Sequence, residues 1–167
     1  MAAFLRQIDF SRAAWLVLLA GFATIAGAWV FEYLGYAPCE LCLKQRYAYY
    51  AGIPLAAAAL LAERAGMRSY AIGALALAGV FFALNALFAV YHSGVELKWW
   101  PGPADCTGAF NAPASLEDFR KQLQSVQVVR CDEVALRVFG LSLANWNAPI
   151  SAALALAAAF GLRNRNG

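Results

Sequence analysis

Residues 13–31 read AAWLVLLAGFATIAGAWVF, without a single charged side chain. A helix rises about 1.5 Å per residue and the hydrocarbon of a bilayer is about 30 Å thick, so about 20 apolar residues make one crossing. This run is of that length, and it reads as a membrane-spanning helix. Working outward, comparable runs occupy 47–62 and 70–91, and a shorter one 148–162. The last becomes a full crossing if Leu141, Leu143 and Trp146 carry it into the headgroup layer or the bilayer thins there. The expected fold class is all-α: one integral membrane domain over residues 1–167, a four-transmembrane-helix bundle. Its two outer connections, about 32–46 and the long one at about 92–147, lie on the same side.

Composition agrees. Of the 167 residues 62% are hydrophobic and 14% charged, against roughly 25% charged in soluble domains. A small globule leaves too much surface in water to hide so much apolar side chain, so lipid is part of its solvent. The formal charge is only +3, from scattered Lys and Arg with no basic stripe, which excludes nucleic acid as the natural partner. Arg6, Arg12, Arg64, Arg68, Arg163 and Arg165 flank the spans on one side. Lys44 and Arg46 lie in the short opposite connection, while Lys98, Arg120, Lys121, Arg130 and Arg137 are spread along the long one. Positive residues in short flanking segments stay in the cytoplasm, so both termini are expected there. A cleavable signal peptide ending at Ala26-Gly27-Ala28 is the rival reading of the first run. The run is longer than an ordinary signal core and continues through Trp29, Val30 and Phe31, which favours an anchor.

With this topology all four cysteines face outward, where disulfides persist: Cys39 and Cys42 in the first connection, Cys106 and Cys131 in the second. Four cysteines allow three pairings, and since a C-x-x-C pair is local, Cys106 with Cys131 is the simplest complement. Both bridges could be staples. Closing so small a loop as Cys39–Cys42 removes little chain entropy, however, whereas this spacing lets one sulfur attack or release the other. Zinc is disfavoured, because no second C-x-x-C accompanies the first, and no metal site is expected. Cys42 is expected to cap the helix that begins the second span, where unpaired N–H groups favour a thiolate. Arg46 follows one turn later. It is either a snorkelling anchor or a cation beside that sulfur, placed to accept negative charge developing on a lipid-soluble electron acceptor.

The combination of Cys39-x-x-Cys42 with Gln45-Arg46, Cys106 and Cys131 in a long second loop, and Phe139-Gly140-Leu141 before the last apolar run resembles the DsbB family of bacterial inner-membrane quinone reductases. The resemblance covers nearly the whole chain. It implies a quinone-dependent protein dithiol oxidase in the inner membrane, with periplasmic cysteines. Such an enzyme reoxidises a DsbA-like thioredoxin-fold partner and passes the electrons to quinone, ubiquinone or menaquinone. The DsbA–DsbB–quinone relay is an established route by which the bacterial periplasm is kept oxidising. By resemblance, Cys106 is attacked by the partner, Cys131 is released and attacks the first-loop pair, and Cys42 passes electrons to quinone with Arg46 beside it. Cys39 completes the regenerated pair. A DsbA-like dithiol has a potential of about −120 mV and a thioredoxin-like C-x-x-C about −270 mV, a gap of about 7 kcal/mol. The protein must therefore raise its own potentials or couple to a stronger acceptor.

His92, the single histidine, falls at the outer end of the third run. It is either a quinone-oxygen or proton-relay partner, or an interfacial polar residue at a helix end. Ser115-x-x-Asp118 with Leu116, Phe119, Leu123 and Val126 predicts a short amphipathic helix over 115–129 in the second loop. Trp99, Trp100 and Trp146 read as headgroup-level belt residues, Pro54 as a bend in the second span, and Asn85 as a cross-helix hydrogen-bonding group. Two alternatives stay open: a noncatalytic four-span protein with two structural disulfides, and a thiol oxidoreductase of the vitamin K epoxide reductase type. The early position of Cys39-x-x-Cys42 disfavours the second.

Overall fold

The computed structural model describes residues 9–103, 106, 115–117 and 130–164. Four long helices dominate them: α1 (Phe10–Tyr33), α2 (Glu40–Arg64), α3 (Arg68–Glu96) and α4 (Leu143–Arg163), with a hairpin of β1 (Arg137–Val138) and β2 (Leu141–Ser142) leading into α4. Local chemistry sets the helix ends. Asp9 caps α1 by accepting the Arg12 N–H at 2.8 Å. At its far end Gly35, with φ +97°, closes a Schellman turn in which the Tyr36 N–H reaches Phe31 O. Gly66, with φ +72°, does the same after α2, where the Met67 N–H bonds Ala62 O, and the chain turns at once into α3.

Three of these helices, α1, α3 and α4, are long and apolar enough to cross a membrane. α2 contains the expected 47–62 run but falls below that apolarity, since Tyr47, Tyr49 and Tyr50 dilute it and Glu63 and Arg64 end it. It begins earlier than the apolar run because the C-x-x-C segment forms its first turn. α4 likewise starts five residues before the expected 148, at Leu143. Ser142 caps it by accepting the Asn145 N–H at 3.0 Å, and Asn147, which interrupts the apolar pattern, is buried inside the bundle. The hairpin was not expected. Its two-residue turn needs positive φ twice, at Phe139 (52°) and Gly140 (83°), and a phenylalanine gives no warning of that. Of the expected amphipathic helix, residues 118–129 lie outside the described residues, as do Arg6, Arg120, Lys121 and Arg165.

Close approach of small residues builds the core. Ala13, Ala14, Ala56, Ala59, Ala71 and Ala158 are buried around Phe82 and Leu75, so the helix backbones come near one another. Gly52 makes room for the Phe82 ring: a Cβ there would lie 2.5 Å from Cε2. Asn85 donates to Ser151 Oγ of α4 at 2.9 Å, the cross-helix bond expected of it. Large apolar side chains such as Leu19, Phe22, Leu84 and Leu87 point outward instead, as on a lipid-facing surface. Arg64 lies over the Trp15 ring at 6.0 Å, and Gly161 meets Ala13, so the Arg12, Arg64, Arg68 and Arg163 ends of the helices gather at one end of the bundle.

Of the belt tryptophans, Trp99 is exposed. Trp100 instead folds back on α3, stacked on Tyr91 at 6.0 Å, donating to Tyr91 O at 2.9 Å and filling the space that Gly94 leaves. Trp146 donates to Val138 O at 2.9 Å and ties α4 to the hairpin.

Candidate active site

At the end of the bundle opposite those arginines, all four cysteines are present. Cys39 caps α2: its backbone is extended (φ −76°, ψ 169°) and its Sγ accepts the Cys42 N–H at 3.3 Å. The cap is thus Cys39 and not Cys42 as expected, because Cys39 is the last residue with extended backbone and Cys42 stands inside the first turn. Both are free thiols, with the sulfurs 2.8 Å apart. The Cys42 thiol donating to Cys39 Sγ does most to lower the Cys39 pKa from 9.0 to about 5. His92 and the Cys42 N–H add to this against the opposing cost of burial. Cys42 is pushed up by the same hydrogen bond, by burial and by the charge on Cys39. The thiolate expected at Cys42 therefore resides on Cys39.

His92 stands behind Cys39. It is buried, 1% exposed, with Nε2 3.5 Å from Cys39 Sγ and Nδ1 3.0 Å from the Gln45 side-chain amide. Glu96, one turn further along α3 and half-buried, places Oε1 3.9 Å from His92 Nε2 and accepts a hydrogen bond from the Ser142 hydroxyl. Arg46 is 12% exposed and holds Glu32 of α1 at 2.6 Å. The guanidinium expected beside the Cys42 sulfur is thus drawn toward the end of α1.

A cavity of about 510 Å³ opens beside these groups. Cys39, Cys42, Arg46 and Glu96 supply its reactive rim, and its walls are mostly apolar, among them Phe31, Leu136, Phe139, Trp146 and Ile150. His92 is not among the lining residues, so of the three residues expected to contact a cofactor, Cys42 and Arg46 reach the cavity and His92 acts from behind Cys39.

Cys106 and Cys131 form a disulfide. Both are buried in one apolar cluster with Cys39, Leu41 and Val95, so the two pairs are neighbours in space despite their separation in sequence. Cys39, Cys42 and His92 also carry three ligand atoms within 4.8 Å of one another, a metal-capable cluster that the cysteine spacing alone does not suggest. Glu96, Glu32 and Asn147 escaped the sequence reading, and Gln45 entered it only as part of the motif with Arg46. The four-residue step from His92 to Glu96 on one helix was the available signal.

The family model described as Disulfide bond formation protein DsbB matches residues 11–161. A protein of Rickettsia prowazekii (strain Madrid E) described as "Uncharacterized protein RP370" is 25% identical over 126 residues, covering 74% of this chain and 70% of that protein. No solved structure matches the chain.

Proposed function

The chain belongs to the DsbB family of disulfide bond formation proteins, and from that premise we propose that it oxidises a periplasmic thioredoxin-fold dithiol of the DsbA type and delivers the electrons to membrane quinone. In this reading all four helices cross the bacterial inner membrane, with both termini cytoplasmic and the cysteine end periplasmic. The gathering of Arg12, Arg64, Arg68 and Arg163 at the opposite end supports that orientation.

Each turnover takes two electrons and two protons from the partner. The partner's thiolate attacks Cys106, the Cys106–Cys131 bond breaks and Cys131 leaves as thiolate. A second partner thiol displaces Cys106 and closes the partner's own disulfide. Cys131 attacks Cys39 of the oxidised inner pair and frees Cys42; Cys106 then resolves the mixed bond and regenerates Cys106–Cys131. The electrons now reside on Cys39 and Cys42. A bound quinone supplies an acceptor for two electrons and two protons. The cavity suits such a group, since its volume lies in the range of small-molecule sites and its walls are mostly apolar with a few polar groups among them. Arg46, which lines the cavity while paired with Glu32, would hold an oxygen there and stabilise negative charge on it. Cys42 retains a proton and faces the cavity, while Cys39 carries the charge. A stabilised thiolate stabilises the reduced pair and makes it more oxidising, which narrows the gap to a strong periplasmic oxidant.

The observation that carries this proposal is the inner dithiol set between the buried outer disulfide and an apolar cavity rimmed by Arg46. The test mixes purified protein with a reduced thioredoxin-fold oxidase and ubiquinone and follows quinone absorbance. Stoichiometric loss of quinone and of partner thiols is expected. No quinone consumption while the outer disulfide is intact would leave the noncatalytic reading standing.

A further inference from the structure

Behind Cys39 runs a continuous line of buried polar side chains through three helices. His92 Nδ1 meets Gln45 Nε2 at 3.0 Å, Asn147 Nδ2 donates to Gln45 Oε1 at 2.7 Å, and Asn147 Oδ1 lies 2.5 Å from the Tyr49 hydroxyl and 3.2 Å from Ser151 Oγ. Asn85 Nδ2 closes the line on Ser151 Oγ at 2.9 Å. No buried side-chain nitrogen or oxygen among the described residues lacks a partner.

Such a line has a direction. A separation of 2.5 Å belongs to an O–H donor and an oxygen acceptor, since N–H donors stand near 2.9–3.0 Å. The atom of Asn147 facing Tyr49 is therefore its carbonyl oxygen. Ser151, already accepting from Asn85, turns its own hydrogen toward the same oxygen. That leaves the Asn147 NH₂ facing Gln45, which must present its carbonyl there and its NH₂ to His92. An NH₂ cannot accept, so Nδ1 of His92 is the bare, accepting nitrogen.

We propose that Asn147, oriented by the Tyr49 and Ser151 hydroxyls, acts through Gln45 as a positioning residue that fixes His92 in its Nε2–H tautomer, with that hydrogen aimed at Cys39 Sγ. The far end of the line agrees: the sulfur 3.5 Å away and the Glu96 carboxylate 3.9 Å away both seek a donor, and Cys42 faces Cys39 from the other side. In this tautomer Nε2 has no lone pair to offer a cation, so His92 solvates an anionic sulfur and does not complete a metal site with Cys39 and Cys42. Choosing which sulfur of the dithiol holds the charge is then shared with residues deeper in the bundle, of which Gln45, Tyr49 and Asn147 also line the cavity. The tautomer stands independently of the proposed function; its consequence for electron delivery rests on that reading.

Because His92 is the single histidine, the full chain labelled with ¹⁵N-histidine and held in lipid nanodiscs in the dithiol state gives an unambiguous spectrum. A protonated Nε2 and a bare Nδ1 are expected at pH 7; a proton on Nδ1 overturns the proposal. The double variant Tyr49→Phe with Ser151→Ala removes both hydroxyls at little change in volume and frees the Asn147 amide to turn. It is expected to show averaged nitrogen shifts and an about twofold slower alkylation of Cys39 at pH 5, since a rise of about one in its pKa cuts the thiolate about fivefold while the more basic sulfur attacks about threefold faster. A variant spectrum identical to the wild type refutes the orienting role. The wild-type spectrum needs no substitution, so a variant that fails to fold leaves the decisive measurement in place, and quinone consumption tests the function separately.

Discussion

Lowering of the Cys39 pKa to about 5 is testable through the pH profile of its alkylation. Thiolate fraction alone exaggerates the effect, because a less basic sulfur is a poorer nucleophile, with a Brønsted slope of about 0.4–0.5. Against a thiol at 9.0, Cys39 at pH 7 is about a hundredfold richer in thiolate. The four-unit difference in basicity removes about sixtyfold of that, so the net advantage is about twofold. At pH 6 the thiolate ratio is about nine hundredfold and the net advantage about fifteenfold, and at pH 5 about eightyfold. Low pH is therefore where Cys39 stands out. The assay is rapid-quench iodoacetamide labelling of the dithiol form, with mass mapping that separates Cys39 from Cys42. The Cys39 rate should be flat from pH 6 to 8 and fall below pH 5; its burial slows every point equally and leaves the shape unchanged. A rate that climbs tenfold per pH unit between 6 and 8 would refute the reasoning. The linkage has a definite sign. The folded value lies below the unfolded 9.0, so the stabilisation this thiolate gives the dithiol fold is complete above about pH 9 and is lost as pH falls through about 5.

Substituting Arg46→Ala should weaken quinone binding about tenfold or more, read by quinone titration. Glu32, left unpaired, is 44% exposed, so the fold should persist. Cys106→Ser should abolish oxidation of the partner while leaving quinone binding at the cavity intact, as measured in the same titration. Gly52→Ala should destabilise by about 1–3 kcal/mol in thermal unfolding, because the new Cβ would stand 2.5 and 2.7 Å from Phe82 ring atoms. Gly73→Ala, with nothing within 4 Å, is its control and should gain up to about 1 kcal/mol from helix propensity. Ser142→Ala should cost about 1 kcal/mol through loss of the α4 cap, and thermal unfolding of the variant reads it directly.

The apolar runs at 13–31 and 70–91 announced α1 and α3 because lipid-facing and core-facing positions are both apolar there, so no face breaks the pattern. α2 and α4 were harder to delimit for the opposite reason. Asn147 stands just outside the expected 148–162 run, while Tyr49 and Ser151 are polar members of the runs that contain them, yet the three satisfy one another inside the bundle. Cysteine spacing pointed to sulfur exchange, but the cap position depended on which residue keeps an extended backbone, a matter of a single turn. His92 lies 53 residues from Cys39, and only the antiparallel return of α3 beside α2 makes them neighbours. Glu96 carried a local signal in its step from His92, whereas the meeting of Arg46 with Glu32 depends on how α1 and α2 close on each other.

Trp100 seated in the notch at Gly94 has a mechanical meaning. The indole reverses the chain immediately after α3 and brings Gly102 back over Val95, next to Cys106. The outer disulfide thus hangs on a short lever whose root is clamped to the same helix that carries His92. Under the proposed function, a partner bonded to Cys106 would pull first against the Trp100 seat on α3, ahead of the inner pair.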